Sequence, residues 1–251
     1  MLTHPTLDKL QTLRLAGMSQ ALVEQLQLPD SAALPCEERF GLLVDRARTE
    51  RETRRLTTRL RQAKLRQTAC IEASDYRHPR GVDKALMARL ATCQWVRERH
   101  HVLSTGPTGI GNTWLGCALG HHACRDGLTA LYLRLPRFLQ ELPLAKGDGR
   151  YGKLLTTLAK TDGWILDDWG LAPLSDENRR DLLEIVDDRH DRRATIITSQ
   201  LPVEHWHDAL GDPTLADAIL DRLVHNAYKI VLQGESMRKR PPKLTRGAVS
   251  D

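Results

Sequence analysis

The residues best suited to chemistry lie in a glycine-rich segment, Gly106 to Thr113, which has the spacing of a phosphate-binding loop. Such a loop wraps backbone N–H groups around phosphates, a lysine adds positive charge, and the next hydroxyl binds magnesium. Here Thr113 supplies the hydroxyl, but Asn112 stands where the lysine is required. The candidate phosphate-binding residues are Gly106, Pro107, Thr108, Gly109, Ile110, Gly111, Asn112 and Thr113. The segment predicts a nucleotide site with one charge missing.

Two acids about fifty residues downstream fit the same chemistry. They end an apolar segment, Trp164 to Asp168, that is typical of a buried strand. We predict that Asp167 binds magnesium together with Thr113, and that Asp168 acts as the general base toward the attacking water. Paired acids also end strands without any catalytic role, but the glycine-rich loop upstream favours the catalytic interpretation.

Two further segments carry candidate catalytic residues. The β-branched segment Ala194 to Gln200 predicts a third strand, whose terminal Ser199 or Gln200 would hold the attacking water. A helix opened by Asp212 and Pro213 carries Arg222 beside an apolar stripe. From charge alone, Arg222 is either a solvated helix residue or a group that acts on the nucleotide of a neighbouring subunit.

The elements that must position these residues alternate between strand and helix. His101 to Thr105 predicts the strand before the loop, Thr113 to Arg125 the helix after it, and Gly127 the C-cap of that helix. The alternation continues to a last strand at Tyr228 to Leu232. This pattern predicts an α/β fold in which helices flank a parallel sheet.

The chain is expected to divide into three parts. Residues 1–70 predict a small all-α N-terminal domain, with helices over 7–28 and 37–67. Residues 71–238 predict the nucleotide-binding core, which begins with a helix over 81–97. Residues 239–251 contain two prolines and mixed charge and predict a disordered tail.

Positive charge is concentrated in the second N-terminal helix. Between Asp45 and Arg66 there are nine arginines and lysines against three acids. Four of the arginines fall three or four residues apart and line one helix face: Arg48, Arg51, Arg55 and Arg59. We expect this face to contact the backbone of duplex DNA, because few aromatic residues accompany it for base stacking. A merely solvated helix surface is the alternative.

Composition narrows the possible classes. The net charge is +5, and the five cysteines show no C-x-x-C spacing, so neither a disulfide framework nor a zinc site is indicated. No apolar run approaches the length of a membrane span, and the N-terminus lacks the pattern of a signal peptide. We predict a cytoplasmic protein with no membrane contact.

Taken together, these motifs resemble the IstB-type transposition helper ATPases, AAA+ proteins related to the helicase loader DnaC and the initiator DnaA. The resemblance is carried by Leu13–Met18, Gly106–Thr113, Leu131–Pro136, Leu166–Leu171, Thr198–Pro202, Asp212–Asp217 and Gly234–Lys239. It implies a homo-oligomer that assembles on DNA with ATP and Mg²⁺ and activates a cognate transposase of the IstA type. It also implies that Arg222 is an arginine finger and that Arg238 is a sensor-2 arginine contacting the nucleotide of its own subunit.

The departure at Asn112 leaves two function classes open. The first is an ATP-dependent transposition helper, or a helicase loader like DnaC, whose hydrolysis is impaired. The second is a degenerate pseudo-ATPase that serves only as a DNA-binding or oligomerisation module, or that is a decayed copy of a mobile element. Asn112 favours the second class, whereas the presence of Thr113, Asp167, Asp168 and both arginines favours the first.

Overall fold

The computed structural model describes residues 5–28, 33–74, 76 and 80–237. Arg238 and the predicted tail lie outside these residues. The chain divides into two compact units between Thr58 and Arg59, and each unit is described by itself. The predicted domain boundary near residue 70 stays a prediction.

The described residues of the N-terminal unit form three α-helices: α1 (Pro5–Thr12), α2 (Ala16–Gln27) and α3 (Cys36–Ala63), whose last turns belong to the second unit. The prediction of one helix over 7–28 was wrong, because the backbone turns at Arg14, where φ is 57°. Gly17 lies inside α2, where a Cβ would come 3.0 Å from Ala47 of α3, so the glycine allows the two helices to pack closely.

The second unit contains five strands and eight helices among its described residues. The strands are β1 (His101–Thr105), β2 (Ala130–Arg134), β3 (Gly163–Trp169), β4 (Ala194–Ser199) and β5 (Ala227–Val231). The helices are α4 (Lys84–Leu90), α5 (Gln94–Arg97), α6 (Asn112–Arg125), α7 (Leu135–Gly147), α8 (Tyr151–Lys160), α9 (Asp176–Arg189), α10 (Trp206–Leu210) and α11 (Pro213–Val224). The helix predicted over 81–97 is two short helices, because Cys93 between them adopts a left-handed conformation.

The sheet is parallel throughout, in the order β2-β3-β4-β1-β5. One face packs against α6, where Gly116 brings the helix so close that a Cβ would lie 3.0 Å from the Ile165 and Thr198 side chains. The other face carries a buried cluster that includes Leu166, Ile197 and residues of α7, α9 and α11. Helices therefore flank a parallel sheet, and the predicted fold class is confirmed. No helix in the described part of the chain is long and apolar enough to cross a bilayer.

The amino ends of the strands enclose two buried titratable groups. The Arg189 guanidinium donates to the carbonyls of Leu158, Thr161 and Ala194 at 2.6 to 2.8 Å and stacks over Trp164 at 3.9 Å. Burial lowers the pKa of Arg189 to about 9. At the start of β1, the His101 ring accepts a hydrogen bond from the Thr195 amide at 3.1 Å, and burial lowers the pKa of His101 to about 4.

Candidate nucleotide-binding site

The loop between β1 and α6 depends on its glycines. Gly109 and Gly111 have φ values of 83° and 117°, which side-chain-bearing residues rarely adopt. A Cβ at Gly106 would lie 2.5 Å from the Leu232 carbonyl oxygen, and one at Gly109 would lie 2.2 Å from the Ser236 hydroxyl oxygen. The chain after β5 thus packs directly on the loop. The first turn of α6 then begins at Asn112, as a phosphate-binding loop requires.

A cavity of about 570 Å³ opens at the carboxyl ends of the strands, where parallel α/β sheets bind their ligands. Most of the predicted site residues line it: Pro107, Thr108, Gly109, Gly111, Asn112, Thr113, Asp167, Asp168, Ser199 and Gln200. Three arginines that the sequence did not indicate as site residues also line it, namely Arg66, Arg80 and Arg134. The fold therefore brings the loop and both acids to one cavity.

Asp167 is the centre of the polar network in this cavity. Its side chain is buried, and it accepts the Thr113 hydroxyl at 2.9 and 3.1 Å. The hydroxyls of Thr198 and Tyr132 also donate to it, and an Arg66 nitrogen lies 3.5 Å away. Burial, together with the hydrogen bond to Asp167, raises the pKa of the Tyr132 phenol. The carboxylate is thus held in a fixed orientation toward Thr113.

Asp168 has a different environment. Its backbone is left-handed, with φ at 62°, and its carboxylate accepts a hydrogen bond from Arg134 Nε at 2.5 Å. The two neighbouring acids thus have separate partners: Asp167 contacts the hydroxyl at the start of α6, and Asp168 is paired with the arginine that ends β2.

The Asn112 side chain is used to brace the loop. Its amide nitrogen donates to the carbonyls of Gly106 at 2.7 Å and Ser199 at 3.2 Å. Its oxygen accepts the Ser104 hydroxyl at 2.9 Å. Both N–H groups of the carboxamide thereby have partners within the protein. Asn112 takes the position of a lysine in sequence, but it directs its donors at the backbone.

The candidate water-holding residues differ in their contacts. The Ser199 hydroxyl donates to the Trp169 carbonyl at 2.8 Å and accepts from the Leu201 amide, so it connects β3 to the end of β4. Gln200 accepts the Thr108 hydroxyl at 2.5 Å. Thr198 contacts Asp167 and was missed by the sequence analysis. Side chains alternate between the two faces of a strand, so a residue near the end of β4 that faces Asp167 could have been expected from the sequence.

The predicted arginine finger lies outside this cavity. Arg222 Nε donates to Asp187 at 2.7 Å, and its guanidinium also donates to the Ala218 carbonyl. These contacts hold it between α11 and α9 of its own subunit. Its role toward a neighbouring subunit stays a prediction.

The predicted DNA-binding arginines are not equivalent. Arg48, Arg51 and Arg55 are exposed on α3, and Arg48 lies 3.6 Å from Glu52. Arg59 is half-buried, and its Nε donates to the Cys124 carbonyl at 2.9 Å. Three of the four side chains are thus available to phosphates, while Arg59 caps the C-terminal end of α6.

The site has the chemistry that a nucleotide with magnesium requires, apart from the lysine. Gly109 and Gly111, both at positive φ, curve the loop along the cavity wall, and the Thr113 hydroxyl and Asp167 carboxylate are the oxygen donors that Mg²⁺ prefers. No cluster of three or more histidine, cysteine or acidic residues suited to a metal occurs in the described ranges.

The parallel sheet, the glycine loop after β1 and the two acids near the end of β3 are the features of a P-loop fold of the AAA+ type. The crystal structure of the DnaC helicase loader shares this fold, with a TM-score of 0.53 and 20% identity over 66% of this chain and 97% of that one. The family model of the IstB-like ATP binding proteins matches residues 8–245, and the chain belongs to this family.

Close relatives agree with this assignment. An insertion sequence ATP-binding protein of Sinorhizobium fredii is 53% identical over 95% of this chain and 98% of its own length. The ATP-binding protein of insertion sequence IS1162 from Pseudomonas fluorescens is 54% identical over 80% of this chain and 88% of its own. The predicted resemblance to IstB-type proteins is confirmed.

Proposed function

We propose that this chain is an ATP-binding helper of an insertion sequence, which assembles on duplex DNA as a homo-oligomer and assists a partner transposase. The observation that carries the proposal is the arrangement of the glycine loop, Thr113 and Asp167 around one cavity. Membership of a family of insertion sequence ATP-binding proteins supports it. A role on DNA of this kind belongs in the cytoplasm.

In this proposal each group of the cavity has one task. Backbone N–H groups of the loop bind phosphate oxygens, and Thr113 and Asp167 hold Mg²⁺, which would neutralise phosphate charge. Asp168 accepts a proton from the attacking water. To do so it must exchange its hydrogen bond with Arg134 for one with water.

Hydrolysis is impaired by the absence of lysine. A hydrogen bond from a charged group contributes about 1.5–3 kcal/mol, so its loss weakens ATP binding by about tenfold to a hundredfold. The loss in rate is larger, since the lysine also neutralises charge that develops during transfer. Asn112 does not compensate, because its N–H groups bond to Gly106 and Ser199.

Contacts outside the cavity would serve the partners. Arg48, Arg51 and Arg55 bind DNA phosphates without reading sequence. Arg222 acts on the nucleotide of the adjacent subunit, for which it must leave Asp187. Arg238 contacts the nucleotide of its own subunit.

The test compares ATP hydrolysis by this chain and by Asn112→Lys, with Mg²⁺ and duplex DNA present. We expect turnover only in the variant. The double variant Asn112→Lys with Asp167→Asn is the matched control, and it should be inactive because the magnesium ligand is changed. Equal turnover by the unaltered chain and by Asn112→Lys would show that hydrolysis is not impaired.

A second candidate function is that of a module that binds DNA but no nucleotide. The three hydrogen bonds of Asn112 favour it, since they stabilise the loop without any ligand. Equilibrium binding of a fluorescent ATP analogue separates the two functions: a chain that binds DNA and no analogue is such a module. A loader role is distinguished by binding to a replicative helicase in place of the transposase.

A further inference from the structure

Three arginines line the cavity, and they differ in what holds them. Arg134 is paired with Asp168 at 2.5 Å. Arg80 donates to the Ile110 carbonyl, within the backbone of the loop. Arg66 lies 3.5 Å from Asp167, and 46% of its side chain is exposed. Arg66 therefore combines the weaker ion pair with room to move.

The position of Arg66 matches the place where charge is missing. Its Nη1 approaches Oδ2 of Asp167, and the same oxygen accepts the Thr113 hydroxyl at 3.1 Å. Thr113 follows Asn112 directly in the chain. A guanidinium thus lies beside the end of the loop that binds magnesium and the terminal phosphates in this fold.

Asp167 does not depend on Arg66 alone. The hydroxyls of Thr113, Thr198 and Tyr132 also donate to this carboxylate. A rotation of Arg66 toward a phosphate leaves these three hydrogen bonds in place. The movement gives up two contacts, the half-exposed 3.5 Å ion pair with Asp167 and the interaction of the guanidinium with the Tyr132 phenol.

We propose that Arg66 supplies the cation that the loop lacks, by binding the terminal phosphates of the nucleotide from outside the loop. The planar guanidinium can bind two phosphate oxygens at once, which a single asparagine amide cannot do with equal strength. This inference rests on the proposed ATP binding, and it names Arg66 as the group that keeps ATP bound in the absence of the loop lysine.

The test measures equilibrium affinity for ATP, ADP and AMP by displacement of a fluorescent nucleotide, with Mg²⁺ present. Arg66→Gln is expected to weaken ATP binding by about tenfold and AMP binding by less than about twofold. Arg66→Lys, which keeps the charge but loses the planar two-point contact, should bind ATP more tightly than Arg66→Gln and more weakly than the unaltered chain. Arg61→Gln, an exposed charge change in the last turn of α3 and five residues before Arg66, is the control and leaves all three affinities unchanged. Thermal unfolding checks that each variant is folded.

A second comparison asks whether Arg66 and a loop lysine share one role. In the Asn112→Lys background, Arg66→Gln is expected to weaken ATP binding by less than about threefold, because the lysine takes over the contact. If Arg66→Gln weakens ATP binding tenfold in both backgrounds, Arg66 and the lysine act independently, and Arg66 does not replace the loop cation.

The outcomes separate the inference from the proposed function. If the unaltered chain binds no nucleotide, the proposed function fails. If it binds ATP and Arg66→Gln behaves like Arg61→Gln, ATP binding stands and the role of Arg66 is refuted. Equal losses for ATP and AMP would likewise overturn it, because Arg66 would then not contact the terminal phosphates.

Discussion

The two ends of the same sheet bury charged groups for different purposes. At the amino end, Arg189 is enclosed by backbone carbonyls and a tryptophan ring, beside a space of about 10 Å³. At the carboxyl end, Asp167 is equally buried, but its partners are side-chain hydroxyls at the wall of a cavity of about 570 Å³. Burial of a charge alone therefore does not mark a functional site. The space beside the charge and the nature of its partners do.

The largest effect is expected at the amino end. Arg189→Met removes three buried hydrogen bonds to backbone carbonyls and should lower the free energy of unfolding by about 4 kcal/mol, measured by urea denaturation. Arg193→Met is the matched control: its side chain is 38% exposed and paired with Asp162, and about 1 kcal/mol is expected. Nucleotide affinity of the folded Arg189 variant should be unchanged. A loss of that affinity would break the contrast between the ends.

Acid should lower the free energy of unfolding through His101, which lies at the amino end of the sheet. Its folded pKa of about 4 is below the usual 6.5, so the unfolded chain binds more protons between these values. This contribution to stability is complete above pH 6.5 and is lost as pH falls toward 4, by about 3 kcal/mol in all. Unfolding free energies of the unaltered chain and His101→Gln, measured across this range, should converge at low pH. Parallel curves would exclude His101 as the cause.

At the carboxyl end, the same kind of substitution should affect binding more than folding. Asp167→Ala is expected to cost about 2 kcal/mol of stability, less than Arg189→Met, because water in the cavity can satisfy the released hydroxyls. Binding of ATP with Mg²⁺ should weaken by at least about tenfold, since a metal ligand is lost. Denaturation and nucleotide titration of one preparation measure both quantities. A stability loss matching that of Arg189→Met would show that the cavity makes no difference.

Substitution of exposed arginines on α3 is expected to have the smallest effect on stability. Replacing Arg51 and Arg55 by glutamine should change the unfolding free energy by less than about 0.5 kcal/mol. The logarithmic salt dependence of duplex DNA binding should become shallower by about 2, since two phosphate contacts are removed. The control is the double variant Arg137→Gln with Arg150→Gln, which removes the same positive charge at two other exposed arginines that are paired with acids. An unchanged salt slope would remove α3 from the DNA interface.

Much of the second unit could be predicted because its strands are apolar and the loop between β1 and α6 is rich in glycine. The strand at His101–Thr105 was predicted with the bounds that the structure shows, and the helix after the loop within one residue. The helix break at Arg14 was not predictable, because an arginine there adopts a conformation that glycine usually takes. The presence of Arg66 at the site was hidden for another reason: it comes from the basic segment and reaches Asp167 only through the tertiary fold.

The brace formed by Asn112 has a consequence for the motion of the loop. By tying Ser104, Gly106 and Ser199 together, it holds the end of β1, the start of the loop and the end of β4 in one arrangement before any ligand arrives. Less conformational entropy is then lost when a phosphate binds. The loop amides should exchange with deuterium slowly even in the empty protein. A lysine at this position would exchange that rigidity for charge, so the residue that we propose to weaken catalysis also keeps the binding loop ordered.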